Sequence, residues 1–455
     1  MKILLMTQLF LPEMGALPNR IYPFARDLTA MGHSVFVATG MPNYPKGVVF
    51  DGYKGKWLCR EQVDGFTVLR TAYYTVPRNR SKWAQLLSYL SFMPAALWSG
   101  LRAGKLDIVF VTSPPIFPVV PAIALAWFRG AKLVFDVRDL WPDEIVACGG
   151  ARENSFPVRV VRALERWAYR RADRVCCTTQ GFLTTVAERG VSSGKGVYLP
   201  NGADLELFRP LPFDDSLVAR PDLHGRFVVM YSGVFGIKHG LHTVLEAAKL
   251  LEDERDILFV LMGSGAREAE LVQQAKAMNL RNAIFAGEHK VREIPHWLAR
   301  ADVCISSLLP EPYLEKILSV KIFEYLACGK PVVGAHSGES ARVLMESGGG
   351  LVVPPSDAQA MAGAIRALYR DPDLRVRMAA QGRSYVEQKY SRTAIARRLE
   401  AMLRELVGTV AVEQLQPSLV RQRSTAVQFV WGDPVKLAAS TVATAEERRS
   451  VTKTA

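Results

Sequence analysis

Lys321-Ile322-Phe323-Glu324-Tyr325-Leu326-Ala327-Cys328-Gly329-Lys330-Pro331-Val332-Val333 reads as a short helical run, a Gly-Lys-Pro turn and an apolar strand that continues to Gly334. A helix that ends in a tight turn and feeds a buried strand is the repeating join of a parallel sheet, because parallel neighbours need a crossover connection. The run carries one acid, Glu324, near its start. A carboxylate at the mouth of an α/β sheet is placed to accept hydrogen bonds from sugar hydroxyls.

The same alternation extends outward from this stretch. Towards the N-terminus, strands are expected at Phe227–Ser232, Ile257–Met262 and Val303–Ser306, with helices at Leu241–Leu251 and Ala266–Met278. Towards the C-terminus come a strand at Leu351–Val353 and helices at Ala358–Tyr369, Leu374–Gln388 and Arg392–Leu406. An earlier series runs from a strand at Lys2–Thr7 through a helix at Leu17–Met31 to strands at Ser34–Thr39, Ile108–Thr112, Lys132–Asp136 and Val175–Thr178. The turn formers Leu199-Pro200-Asn201-Gly202-Ala203-Asp204 and the polar stretch through Asp214, Asp215 and Pro221 separate the two series. The expectation is an α/β protein of two Rossmann-like, doubly wound domains facing a cleft, residues 1–200 and 201–407, with ligands at the carboxyl ends of the strands. Residues 408–455 lack periodicity, and their polar end is expected to be disordered.

A chain of 455 residues with 49% apolar composition suits two cores. Its six cysteines show no CxxC or Cys/His spacing, so they read as thiols of a reducing, cytoplasmic compartment. The apolar start Met1–Thr7 is too short for a signal peptide and reads as a strand. The net charge of +13 is uneven. Residues 1–200 hold 25 Lys and Arg against 14 Asp and Glu, whereas residues 201–407 hold 26 of each. A basic first half suits nucleic acid, a phospholipid surface or a lipid-linked phosphate, or is only a solubilising surface. Gln85–Leu101 is uncharged, interrupted by Pro94, and flanked by Arg78, Arg80, Lys82, Arg102 and Lys105. It is too short to span a bilayer; a helix in the membrane interface and a buried helix both remain open. Pro114–Phe128 reads as packed core.

Three loops carry chemistry. Gln8–Ala16 places Gly15 where a strand gives way to a helix, a geometry that brings backbone N–H groups to a phosphate. Tyr231–Gly240 places Gly233, Gly236 and Lys238 after a strand, open backbone plus a point charge for a diphosphate, without the spacing of a Walker A loop. Asp136-Val137-Arg138-Asp139-Leu140-Trp141-Pro142-Asp143 crowds four charges at a strand end, either paired with one another or facing an acceptor hydroxyl or phosphate. His33 reads as an organiser of the turn into the second strand.

Taken in order, these pieces resemble the family 4 glycosyltransferases of the GT-B fold over residues 1–407, in the bacterial O-antigen and colanic-acid branch. The matching pieces are Lys321–Val333, Gly32-His33, Pro42-Asn43-Tyr44-Pro45, Asp136–Pro142, Pro200-Asn201-Gly202 and Gly338-Glu339 with Gly348–Pro354. The resemblance implies transfer of a hexose from a UDP- or GDP-linked donor to a surface-glycan hydroxyl with retention, without a cofactor or metal. The acceptor would ride on a polyprenyl diphosphate at the inner face of the plasma membrane, making the enzyme cytoplasmic and peripheral, with no nucleic-acid partner. Gly15, Gly233, Gly236, Lys238, Glu315 and Glu324 would bind the donor; Lys238, Glu324, Arg138 and Asp139 would serve catalysis. Glu324 resembles the second acid of the family's E-x7-E pair. Lys316 stands where the first is expected, with Glu315 one position away, and Val234 stands where the family's loop arginine is usual. The rival readings are a nucleotide-sugar epimerase on the same fold and a non-catalytic basic protein that binds membrane or nucleic acid.

Overall fold

The computed structural model describes residues 1–13, 15–77, 80–147, 150–214 and 220–408. Cys148 and the expected disordered tail beyond Gly408 lie outside the described residues. The chain forms two compact units that part between Asn201 and Gly202.

The first unit begins with β1 (Lys2–Met6), α1 (Ala16–Ala30), β2 (Ser34–Gly40), β3 (Leu58–Val63) and β4 (Phe66–Thr71). It continues through α2 (Lys82–Arg102), β5 (Ile108–Ser113), α3 (Val119–Arg129), β6 (Lys132–Val137), α4 (Asp143–Ala147) and α5 (Phe156–Arg171). β7 (Arg174–Cys177), α6 (Gln180–Glu188) and β8 (Gly196–Tyr198) follow. The strand order is β3-β4-β2-β1-β5-β6-β7-β8, with only the β3–β4 pair antiparallel. β1 pairs in parallel with β2 and β5, so the order reverses beside it. The β3–β4 hairpin was not legible in the sequence. β3 is an edge strand that buries none of its residues, and β4 hides a charge, Arg70, that Glu61 of β3 neutralises at 2.7 Å.

The second unit holds β9 (Phe227–Ser232), α7 (His242–Leu250), β10 (Ile257–Met262), α8 (Glu268–Ala277), β11 (Ala283–Gly287) and α9 (Ile294–Arg300). It continues with β12 (Val303–Ser307), α10 (Val320–Ala327), β13 (Val332–Ala335), α11 (Gly338–Ser347), β14 (Gly350–Val353), α12 (Ala358–Arg370) and α13 (Pro372–Lys389). Its order is β11-β10-β9-β12-β13-β14, all parallel. Here the reversal falls between β9 and β12. All six residues of β9 and of β10 are buried or nearly so, which is why their apolar runs do not alternate.

The last helix, α14 (Arg392–Val407), corrects the expected domain boundary at residue 407. Residues 393–408 belong to the first unit. Ile395, Ala396, Leu399, Met402 and Leu403 pack with Ile3, Leu5, Phe24 and Phe110 on one face of the first sheet. A helical stripe in a sequence shows that a face will be buried, not which unit buries it.

Pro94 also behaves differently from its reading as a break. α2 runs through it for 21 residues. The carbonyl that loses its helical partner is that of Leu90, an exposed residue. No helix among the described residues is long and apolar enough to cross a membrane.

Candidate functional site

In open α/β sheets, ligands bind outside the carboxyl ends of strands where the order reverses. In the second unit that point is the end of β9, and the loop Gly233–Gly240 leaves from it. Two carbonyls hold this loop: Gly233 N–H donates to Met262 O at 2.9 Å and Phe235 N–H to Ser264 O at 2.8 Å. A Cβ on Gly263 would stand 1.9 Å from Gly233 O, so backbone lies directly on backbone. Gly233 thus spends its own N–H on the fold, and Gly236 leads into the turn Ile237–His239 that follows it. Gly233 is a glycine for another reason. A Cβ there would meet Lys321 Cε at 2.2 Å.

α10 supplies that lysine. Lys321 and Glu324 are three apart and share a helix face. Tyr325, on the next position, accepts Ser232 N–H through its hydroxyl at 2.9 Å and donates to Ser232 O at 3.0 Å. This clamps the helix to the end of β9. The Lys321 ammonium lies 5.3 Å over the Tyr231 ring and, among the described residues, has no carboxylate partner. Burial lowers it to about 8 against the attraction of Glu324, and Lys238 repels it further. Burial likewise raises the Glu324 carboxyl, opposed by Arg392 and then by Lys321. Its oxygens make no hydrogen bond among the described residues. The cluster therefore presents two lysines, Lys238 and Lys321, and one carboxyl, Glu324, beside the glycine loop.

Two buried histidines back it. His336 Nε2 lies 2.9 Å from Ser306 Oγ, while its Nδ1 has no partner. His239 Nδ1 lies 3.4 Å from Ser307 O. Burial, with repulsion from Lys321, lowers both to about 3, so they are neutral and add no charge at neutral pH.

The structure brings together Lys238, Gly233, Gly236 and Glu324, and adds Lys321. Glu315 is exposed on the short turn Leu314–Lys316; its carbonyl lies against Gly338, where a Cβ would be 2.1 Å away.

The remaining sequence candidates lie in the first unit. Gly15, at φ +147°, precedes α1, again where the strand order reverses. Its loop is fixed by Glu13, a buried carboxylate that accepts N–H bonds from Phe10, Asn43 and Tyr44 at 2.8–3.0 Å. Asp136 does not pair with Arg138. It takes two bonds from Arg20, at 2.7 and 2.9 Å, and one from Thr112. Arg20 then reaches the carbonyls of Leu199 and Pro200, so it ties three segments together. Asp143 is likewise engaged, by Arg162 and Arg189. Arg138 is left with Nε and Nη1 buried and unbonded; burial lowers its guanidinium, and Asp139 opposes this. His33 bonds Glu400 of α14 at 3.1 Å and lies 3.3 Å from the N-terminal amine, a structural post.

Residues 15–202 match the glycosyl transferase 4-like domain and residues 218–385 match the glycosyl transferases group 1 domain, so the two family models take in most of the chain. The chain belongs to the family 4 glycosyltransferases. A curated member, the colanic acid biosynthesis glycosyl transferase WcaI of Escherichia coli K12, is 27% identical over 376 residues, covering 80% of this chain and 91% of that one. Sucrose-phosphate synthase from Thermosynechococcus elongatus superposes with a TM-score of 0.69 at 21% identity, over 90% of this chain and all of that one. Anabaena HepE, solved with UDP, gives 0.65 at 19%, over 89% of this chain and all of that one. At such identities the structural likenesses speak for the GT-B fold. This family 4 member is an enzyme that transfers a glycosyl group from a nucleotide-sugar donor.

Proposed function

We propose that this transferase moves a sugar from a UDP- or GDP-linked donor to a hydroxyl of a surface glycan carried on a polyprenyl diphosphate, with retention, at the inner face of the plasma membrane. The observation that carries the donor half is the trio of Lys238, Lys321 and Glu324 around the Gly233–Gly240 loop. In this reading the lysines and the Gly236 N–H hold the diphosphate, and Glu324 accepts the ribose hydroxyls. Rupture of the anomeric C–O bond leaves the electron pair on the departing diphosphate. Cations already fixed in a poorly hydrated site stabilise that charge with little reorganisation. Lys321 takes the place of the arginine that Val234 lacks. Gly15 is read as a donor-binding position of the first unit. Arg138, with two unbonded donors, and Asp139 would serve the acceptor. The colanic-acid relative and the HepE–UDP structure support the glycan and the nucleotide.

The test is calorimetric titration with UDP and GDP, followed by product analysis with and without a lipid-linked acceptor. Lys238→Ala and Glu324→Ala should each cut turnover about tenfold or more, the scale of a lost charged contact of about 1.5–3 kcal/mol. Unchanged activity in both, or a product formed equally well without acceptor, would refute the assignment.

A further inference from the structure

The first unit carries an apolar, cationic face outside the residues proposed above for donor and acceptor. Strand register sets Leu4, Val109 and Leu133 on one side of the sheet, with Met6, Val111 and Phe135 two residues on. On this side a Cβ at Gly100 of α2 would meet Leu125 of α3 at 2.4 Å and Leu4 at 3.2 Å, and Phe135 packs on Tyr169 of α5 at 5.9 Å. So α2, α3 and α5 form one layer, opposite α1 and α14.

The outer surface of that layer is unusual. The inner face of α2 is packed through Ser88, Phe92, Ala95, Ala96, Ser99 and Gly100. Its outer face shows Trp83, Leu87, Leu90, Pro94 and Trp98, spaced by three and four so that they form one stripe. Trp83 is 75% exposed and Trp98 is 53% exposed. Arg129 at the end of α3 donates to Leu101 O at 2.9 Å, which brings Trp127 and Phe128, 76% and 64% exposed, to the end of α2 that bears Trp98. On α5, Phe156 and Val160 are exposed, followed by Arg166 and Arg170. The three helices hold eight Lys and Arg and one carboxylate. That carboxylate, Glu165, is buried and bonded to Tyr169 and Arg189.

We infer that this layer docks on an anionic phospholipid bilayer, lying in its interface without crossing it. Tryptophans and leucines on one stripe enter the headgroup boundary, and the flanking cations meet lipid phosphates. Charge decides among occupants. A second copy would set two cationic faces against each other, and a nucleic acid would leave the apolar stripe unmatched. The inference deepens the lipid-linked reading of the acceptor, and it is tested without any acceptor.

The full-length protein is sedimented with vesicles of phosphatidylcholine alone and of phosphatidylcholine with 30% phosphatidylglycerol, at low and high salt. Binding is expected to the anionic vesicles and at least tenfold weaker to the neutral ones or at high salt. The triple variant Trp83→Ser, Leu87→Ser, Trp98→Ser should lose at least tenfold in vesicle affinity and retain both UDP binding and the parent's first-unit melting transition, which shows that both units are folded. Trp57→Ser, an exposed tryptophan just ahead of the edge strand β3, should bind vesicles like the parent. Equal binding of parent and triple variant, or a parent that stays in the supernatant while still binding UDP, would overturn the inference and leave the donor site intact. A parent that is dimeric in light scattering and becomes monomeric in the triple variant would overturn it in favour of self-association.

Discussion

At the scale of single residues, the proposed donor site rests on charges that the fold places together. Lys321 was in plain view, three positions before Glu324 on one helix face, but its importance depends on Gly233 making room for it, and that contact joins positions 88 residues apart. Its ammonium, lowered to about 8, is charged below that pH and neutral above it. UDP affinity should therefore fall as pH rises through about 8, and Lys321→Met should both lower affinity tenfold or more and flatten that dependence; titration calorimetry across pH 6.5–9.5 checks both. Glu324 behaves oppositely. Its carboxyl is raised, so the folded chain holds that proton more tightly than the unfolded one, and the ionised form costs stability above about 4.5. Glu324→Gln should weaken donor binding while leaving the melting temperature unchanged or higher, as differential scanning fluorimetry would report. His239 and His336 titrate near 3 when folded and near 6.5 when unfolded. Between those values the unfolded chain binds more protons, so stability should climb with pH over that window. Denaturant titrations from pH 4 to 7 test it, and a flat profile would contradict the burial of both rings.

At the scale of elements, nearly every central strand was legible because parallel strands covered on both faces are continuous apolar runs. What could not be read was partnership. The stripe on α14 predicts a buried face, but its burial in the first unit follows from the path of the chain after Tyr390. Leu399 is fully buried there, so Leu399→Ala should cost about 2–5 kcal/mol and lower the first unit's transition. The Asp136 cluster shows the same limit. Sequence proximity suggested an Arg138 partner, while the actual partner, Arg20, comes from a helix 116 positions away. Breaking that buried pair with Arg20→Met should destabilise by about 3–5 kcal/mol, because the carboxylate would stay behind uncompensated. Urea unfolding of the two variants measures both costs.

At the scale of the molecule, the chain contains two cores, and its charge follows that division: a net excess in residues 1–200 and balance in residues 201–407. Two cores imply two calorimetric transitions. Since the proposed donor contacts are concentrated in the second unit, UDP at a hundred times its dissociation constant should stabilise that unit by about 2.7 kcal/mol and shift its transition more than the other. The most direct measurement is a crystal structure with UDP bound. The diphosphate is expected between Lys238 and Lys321 at the Gly233–Gly240 loop, with a ribose hydroxyl on Glu324. Nucleotide density elsewhere, or a Glu324 side chain that makes no contact with the ribose, would contradict it.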